Sequence, residues 1–441
     1  MAEKQNTSYI FIPFCFEKES QFRGLAEQLE KSGRWELIHD NIQYLMKYIT
    51  DKFDSHHKSE CNCFHFQLKN PVHSLEGLTG EEQWYFTEEH LQRQEKVNYK
   101  FQIKSVQLYC FSTKVCVMAF RVEFEKSDPF WVASAQYYLK KVSRESIFYH
   151  SMEDGQVKAH ETTFLAMAKE AMQAAGEEFE LKFFYYTNPG TERANMLTYL
   201  EVDTKDDYTK ELYFLKRCYH DGFMYCENKE QDAKETFRIT SNVIWGFSSE
   251  AAVCLAMPEM RQNGFVHNKL YKNFNEQYLF MYVFLLHQKY VLYQFLTCLG
   301  IGSFNTLETL EEYQRQFKEF EADFVFSQIT EVPQYQMLYE KMYKVHCLKK
   351  IYEDVREPLE ALSELRKENL EKEKRGRENR MNKALLILSI LTLFSVLTDS
   401  FQFIGDFIGL FAGATVVLTI QVVVIVVIVV IAGFIIKSLR E

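Results

Sequence analysis

The order of hydrophobic and polar residues divides the chain into two parts of different character. Up to about residue 262, short apolar segments with alternating polar positions predict strands, and segments with helical spacing lie between them. Strands are predicted at 9–16, 63–68, 106–111 and 115–125, and helices at 20–31, 41–53, 130–143 and 160–175. The last two strands are separated only by Ser112, Thr113 and Lys114, which predicts a hairpin. This pattern is typical of a mixed α/β domain.

From about His267 the pattern becomes that of long helices. Residues 268–299 are apolar on more than one helical face, which predicts a helix that is buried on several sides. After Pro333, apolar residues recur every three, four or seven positions, and this heptad spacing predicts one very long stalk helix. Pro358 lies inside this pattern and predicts a kink or a hinge. The charged segment 366–379 then reads either as a solvated helical neck or as a collar that faces phospholipid.

Two segments near the carboxyl end lack charged residues. Residues 384–398, continued by 400–405, and residues 407–436 are each compatible with the ~20 apolar residues that cross a bilayer. The predicted organisation is a sensor domain at 1–262, long helices and a stalk at 263–381, transmembrane helices at 382–404 and 410–437, an outer loop at 405–409 and a tail at 438–441. Lysines and arginines flank both segments, so the positive-inside rule predicts that both termini are cytoplasmic.

The first of these segments carries polar residues on one helical face. A polar stripe inside a membrane is expected to face protein or water, which predicts the lining of a pore in an oligomer. The predicted pore-lining residues are Asn382, Leu385, Leu388, Ser389, Thr392, Val396 and Asp399, with Leu385 and Leu388 forming an apolar constriction. The alternative is that the hydroxyl groups bond their own helix backbone and that the carboxylate is interfacial.

Composition and motifs restrict the chemistry. The net charge of −10 argues against general binding of nucleic acid. None of the usual catalytic motifs occurs, and the sequence therefore predicts a protein that is not an enzyme. One cluster is a candidate zinc site, with a loop that runs into a strand as the alternative reading. Its residues are His56, His57, Cys61, Cys63 and His65.

Several of these features together resemble the CorA family of divalent-cation channels and transporters. They are the α/β domain, the stalk segment "IYEDVREPLEALSEL" (351–365), "NRMN" (379–382) and the short charged tail. The resemblance implies a funnel-shaped homopentamer in the lipid of a bacterial inner membrane, with Asn382 at the cytoplasmic end of its pore. The family's Gly-Met-Asn filter is missing, because the corresponding place reads "FIGDF", with Gly405 and Asp406 in the outer loop. Selective transport of Mg²⁺ is therefore not expected, although a preference for cations persists through Asp399 and Asp406.

CorA-like proteins without the filter include membrane effectors that are encoded beside CRISPR systems. These effectors are opened by a nucleotide messenger made from S-adenosylmethionine and AMP. The chain resembles this branch, which implies a ligand-gated cation channel in antiviral defence. A divalent-cation (Mg or Co) transporter with altered selectivity, and a membrane-tethered signalling protein without conductance, are the alternatives.

A small anionic nucleotide would need fixed cations and an aromatic surface. The segment "YYLKKVSR" (137–144) offers Lys140, Lys141 and Arg144 after two tyrosines at the end of a predicted helix. Arg217 and Trp245 are further candidate ligand-binding residues. The alternative for the two lysines is that they complement the carboxyl end of the helix dipole.

Overall fold

The fold was analysed in a computed structural model, which describes most of the chain. The described residues are 4–16, 22–39, 42–53, 61–69, 84–90, 95–153, 156–173, 181–184, 191–205, 207–258, 265–301, 307–408 and scattered positions between 416 and 433.

The strands of the described residues form one mixed sheet. They are β1 (Asn6–Phe16), β2 (Trp35–Ile38), β3 (Cys63–Leu68), β4 (Trp84–His90), β5 (Glu95–Phe111), β6 (Val115–Phe124), β7 (Ile147–Glu153), β8 (Gln156–Thr162), β9 (Leu181–Phe183), β10 (Asn195–Glu201), β11 (Thr236–Thr240), β12 (Val243–Phe247) and β13 (Ala251–Ala256). The order along the sheet is β11-β12-β13-β10-β1-β6-β5-β4-β7-β8, while β3 pairs with β2 and β5, and β9 pairs with β1. Among the described strands, only β10 and β13 pair in parallel, so both begin at the same end of the sheet.

The described residues also form eleven α-helices, some of which pack on the two faces of this sheet. They are α1 (Phe22–Lys31), α2 (Lys47–Thr50), α3 (Pro129–Leu139), α4 (Phe164–Met172), α5 (Thr209–Arg217), α6 (Lys229–Glu235), α7 (Tyr271–Asn273), α8 (Leu279–Ile301), α9 (Leu307–Phe324), α10 (Pro333–Val345) and α11 (Leu348–Ile408). Two π-helical turns, Phe265–Leu270 and Phe274–Tyr278, lie on either side of α7.

The central strand β1 explains why the sheet is covered on both sides. Alternate residues of a strand point to opposite faces, and β1 is apolar on both. Ile10 and Phe14 belong to the core beneath α1, α3, α4 and α5. On the other face, Phe11 contacts Tyr282 of α8 with 5.3 Å between ring centroids. The strand and hairpin predictions for β1, β3, β5 and β6 agree with these elements, and α8 is buried along most of its length as expected.

The long stalk helix predicted after Pro333 is instead two helices. Helix α10 ends at Val345, and α11 begins at Leu348 after a turn at His346 and Cys347. Cys347 has a φ of 55°, a left-handed conformation that terminates helices. Heptad spacing continues through this turn, so the apolar pattern alone did not reveal the break. Pro358 lies inside α11, which continues past it.

The predicted membrane architecture is wrong. In the part of the chain that the structure describes, none of the helices combines the length and the apolar character needed to span a bilayer. This finding contradicts the predicted fold of an α/β domain with two transmembrane helices. It also contradicts the predicted ion channel and the predicted inner-membrane location. Most of the second predicted crossing, 410–437, lies outside the described residues.

The chain divides into two compact units, Met1–Pro358 and Leu359–Glu441. The first unit contains the whole sheet and helices α1 to α10. All of the cavities considered below belong to this first unit.

Candidate functional site: a cationic cavity at the start of two parallel strands

Three of the predicted ligand-binding residues follow the end of α3. The helix starts at Pro129 after Asp128, whose carboxylate accepts a hydrogen bond from the Trp131 backbone N–H at 2.8 Å. It ends at Leu139, several residues before the predicted end at 143, so Lys140, Lys141 and Arg144 lie at the helix cap and in the turn beyond it. The Ala194 N–H donates to the Lys140 carbonyl at 2.8 Å, and this bond fixes the turn beside the start of β10.

A cavity of about 790 Å³ opens where β10 and β13 begin, and it is called the ligand cavity below. Its walls come from both helical layers, because α3 and its following turn line it from one face of the sheet and α8 from the other. Residues 191–194 and 249–250, which immediately precede the two parallel strands, complete it. The volume falls within the ~300–1,000 Å³ that is usual for small-molecule sites.

Lys289 is the most unusual residue of this cavity. It lies on α8, and only 3% of the residue is exposed. Its ammonium donates a hydrogen bond to the Ser249 carbonyl at 3.2 Å and lies 5.6 and 5.8 Å from the ring centroids of Tyr290 and Tyr293. Among the described residues, no carboxylate lies within 4 Å of it. Burial lowers the pKa of Lys289 to about 8, and the more distant Glu250 opposes part of this decrease.

Glu250 is shared by two other cations. It accepts from the Lys140 ammonium at 2.5 Å and from the Arg193 guanidinium at 3.1 Å. Lys140 is almost fully buried, and its ammonium also donates to the Arg217 carbonyl at 3.2 Å. Lys140 therefore supports the cavity through Glu250, while Arg193 belongs to its lining.

The opposite wall joins a cation to aromatic rings. The Lys141 ammonium lies 4.0 Å from the centroid of the Tyr137 ring and pairs with Glu145 at 3.2 Å. Arg144 and Glu192 also line the cavity. The tyrosines Tyr137 and Tyr293 therefore provide aromatic surface on two different walls, one from α3 and one from α8.

The two remaining ligand candidates lie elsewhere. The Arg217 guanidinium donates to Glu235 at 2.7 Å and stacks over Tyr213 at 4.5 Å. Trp245 is fully buried in β12, with its ring 5.1 Å from that of Tyr278. Neither residue lines the ligand cavity.

The predicted pore residues lie on α11, which continues through Gly405 and Asp406, so these two belong to a helix and not to a loop. Asn382, Leu385, Leu388, Val396 and Asp399 are exposed. The Ser389 hydroxyl donates to the Leu385 carbonyl at 2.9 Å, and the Thr392 hydroxyl donates to the carbonyls of Leu388 and Ser389. The hydroxyl groups thus bond their own helix backbone, which is the alternative that the sequence left open.

The candidate zinc cluster is only partly described. His56 and His57 lie outside the described residues, while Cys61 and Cys63 are buried. The His65 ring stacks on Tyr109 with 4.1 Å between centroids. Within the described ranges, no group of three or more histidine, cysteine, aspartate or glutamate side chains is arranged to hold a metal ion.

Comparisons of the chain with protein-family models, curated proteins and solved structures find no match. The resemblance to the CorA family therefore stays a prediction from the sequence. The geometry of the ligand cavity is the basis for assigning a function.

Proposed function

We propose that this protein is a sensor that binds a small organic anion of the nucleotide class, with a phosphate and an aromatic ring, in the ligand cavity. The observation that carries this proposal is Lys289, a buried ammonium that faces the cavity without a carboxylate partner among the described residues. A buried charge is costly unless it is paired, so such a group is expected where a ligand supplies the counter-charge.

The charges of the cavity limit the charge of the ligand. Among the described residues, and with Lys140 included, the cavity has five cations and three carboxylates, an excess of two positive charges. A phosphate monoester carries about −1.5 to −2 charges at pH 7 and would match this excess. A triphosphate would exceed it, so a ligand with one phosphate group is favoured.

Intramolecular ion pairs are the alternative explanation of these charges. Lys141 with Glu145 and Arg193 with Glu250 are satisfied pairs, and partly exposed pairs of this kind occur without any function. This explanation does not extend to Lys289, which bonds the Ser249 carbonyl and has no carboxylate within 4 Å among the described residues. The two tyrosine faces add the stacking surface that a nucleobase requires.

The position of Lys289 favours a sensor over a simple carrier. Burial lowers the pKa of His346, and the positive charge of Lys289 lowers it further, so the two residues interact electrostatically. His346 caps α10 at the turn that precedes α11. A ligand that neutralises Lys289 therefore acts next to the start of the longest helix in the described chain. Ion conduction is not part of this proposal, because it requires membrane-spanning helices and none is found among the described residues.

The direct test is binding of AMP by isothermal titration calorimetry. Adenosine, which lacks the phosphate, and inorganic phosphate, which lacks the ring, serve as comparison ligands. We expect saturable binding of AMP, and a loss of roughly 10- to 100-fold in Lys289→Met, because a hydrogen bond to a charged group contributes about 1.5–3 kcal/mol. Lys31→Met, at an exposed lysine of α1, is the matched control and should bind like the wild type. Absence of AMP binding, or equal binding by Lys289→Met, would contradict the proposal.

The affinity for AMP is also expected to depend on pH. The pKa of Lys289 is lowered to about 8, so the ammonium that binds phosphate is lost as the pH rises above that value. If only the charged form binds, the dissociation constant increases about tenfold per pH unit above pH 8. Lys289→Arg keeps its charge throughout this range and should flatten the profile. A wild-type profile that is flat between pH 7 and 10 would show that Lys289 does not contact the anion.

A further inference from the structure

A second cavity lies on the other side of α8. It has a volume of about 210 Å³ and is bounded by the β5–β6 turn, α8 and α9. The ligand cavity uses Lys289 and Tyr293 of α8, whereas this one uses Val291, Gln294 and Phe295. Because positions four apart share a helical face and positions two apart do not, the helix separates the two cavities.

Aromatic rings form much of the wall of the second cavity. Phe295, Phe320 and Phe324 are buried, and the Tyr313 ring lies 6.4 Å from that of Phe295. These rings provide flat apolar surfaces on which a planar molecule can stack. An apolar cavity of about 150 Å³ holds a benzene molecule, so 210 Å³ accommodates a somewhat larger ring system. It is below the ~300 Å³ at which sites for drug-sized ligands begin, so it is too small for a whole nucleotide.

Polar groups in the same wall are available to a ligand. The side-chain amides of Asn62 and Gln294 make no hydrogen bond with any described residue, and both line the cavity. Each amide offers donors and an acceptor, a combination that matches the edge of a nitrogen heterocycle. Lys114 closes the β5–β6 turn with a φ of 74°, a left-handed conformation that is unusual for a lysine.

The charges of this cavity are largely compensated within the protein. Glu319 pairs with Arg315 at 2.6 Å, and Asp323 pairs with Lys52. The lining therefore gives no strong attraction for a cation, and Lys114 is its only positively charged residue. Rings and amides, rather than a net charge, dominate the chemistry that a ligand would meet here.

We infer that this cavity is a separate binding site for a neutral, planar nitrogen heterocycle of the size of one nucleobase, which stacks on the phenylalanine rings and bonds the amides of Asn62 and Gln294. The inference is independent of the proposed function, because it concerns a different cavity and a ligand without phosphate.

The test is titration of the full chain with adenine, with benzene as a ligand that lacks hydrogen-bonding groups. We expect saturable binding of adenine that weakens by about 2- to 10-fold in Gln294→Leu, since a neutral hydrogen bond contributes about 0.5–1.5 kcal/mol. Val291→Phe should abolish binding by filling the cavity. Where this core variant does not fold, Ser112→Phe in the half-exposed turn blocks the cavity from its rim.

Lys289→Met distinguishes this site from the ligand cavity, and it should leave adenine binding unchanged. Loss of adenine binding in that variant would assign adenine to the ligand cavity and overturn the inference. Equal binding of benzene and adenine, with no effect of Gln294→Leu, would identify an apolar void and overturn the inference. If adenine does not bind at all, the cavity is not a site for a heterocycle. Each of these results is separate from the outcome of the AMP titration.

Discussion

Lys289→Met is expected to stabilise the protein at pH 7, although it removes the residue on which ligand binding depends. The pKa of Lys289 is lowered from 10.5 to about 8 by burial, so holding the ammonium in the folded state at neutral pH is unfavourable. A difference of one pKa unit corresponds to about 1.4 kcal/mol, which gives an upper limit of roughly 3 kcal/mol for the gain in the free energy of unfolding. Methionine is similar in length and has no charge to desolvate. Urea unfolding of both proteins at pH 7 measures the difference.

The pH dependence of the same experiment identifies the cause. Between about pH 8 and 10.5 the unfolded chain binds more protons at this lysine than the folded protein does, so the wild type should gain stability from Lys289 as the pH rises. The advantage of Lys289→Met should therefore be largest below pH 8 and small near pH 10.5. A variant that is less stable than the wild type at pH 7 would show that the ammonium has a compensating partner in the folded protein. In that case the central argument for an anionic ligand would fail.

Sequence patterns predicted the local parts of this site and missed the distant ones. Lys140, Lys141 and Arg144 are close in the sequence and follow one helix, so their clustering was visible in the segment 137–144. Arg193 and Glu250 join them only because β10 and β13 pair in parallel and begin at the same end of the sheet. That pairing connects residues more than fifty positions apart and leaves no local signal. Arg217 and Trp245 are candidate ligand-binding residues by residue type alone, and the fold places both outside the ligand cavity.

Lys289, unlike Arg193 and Glu250, does leave a signal in the sequence. It is the only charged residue of α8, whose side chains are otherwise mostly apolar and buried. A lysine on such a helix either extends to the surface or faces a polar cavity. The hydrophobic pattern predicted the burial of the helix correctly, and that burial is what makes its single lysine informative.

Helix α11 shows a second limit of sequence patterns, because one spacing of polar residues fits two different arrangements. Ser389, Thr392 and Asp399 share one face of α11, and this polar stripe predicts the lining of a pore. In the structure, the hydroxyls of Ser389 and Thr392 donate to carbonyls one turn earlier in the helix. A spacing of three and four residues is equally suited to that local bonding, so periodicity could not distinguish the two arrangements.

Lys216→Met is expected to have the opposite effect to Lys289→Met, although both lysines are almost completely buried. Lys216 is 1% exposed, and its ammonium lies 3.0 Å from Asp232 and 2.8 Å from Glu235, which ties α5 to α6 and to the start of β11. Removing one partner of a buried ion pair costs about 3–5 kcal/mol, because the charge that remains, here mainly that of Asp232, stays buried without compensation. We expect a loss of this size in the free energy of unfolding, measured by urea unfolding at pH 7.

A double variant separates charge from packing at this position. Lys216 is the only cation paired with Asp232 among the described residues, so Lys216→Met combined with Asp232→Asn should recover part of the stability. Glu235 keeps Arg217 as a partner at 2.7 Å, which limits the cost at that carboxylate. Recovery in the double variant would identify an uncompensated carboxylate as the cause, whereas the same loss in both variants would point to packing. If Lys216→Met and Lys289→Met changed stability in the same direction, the contrast between a paired and an unpaired buried lysine would not hold. The assignment of the ligand cavity depends on that contrast.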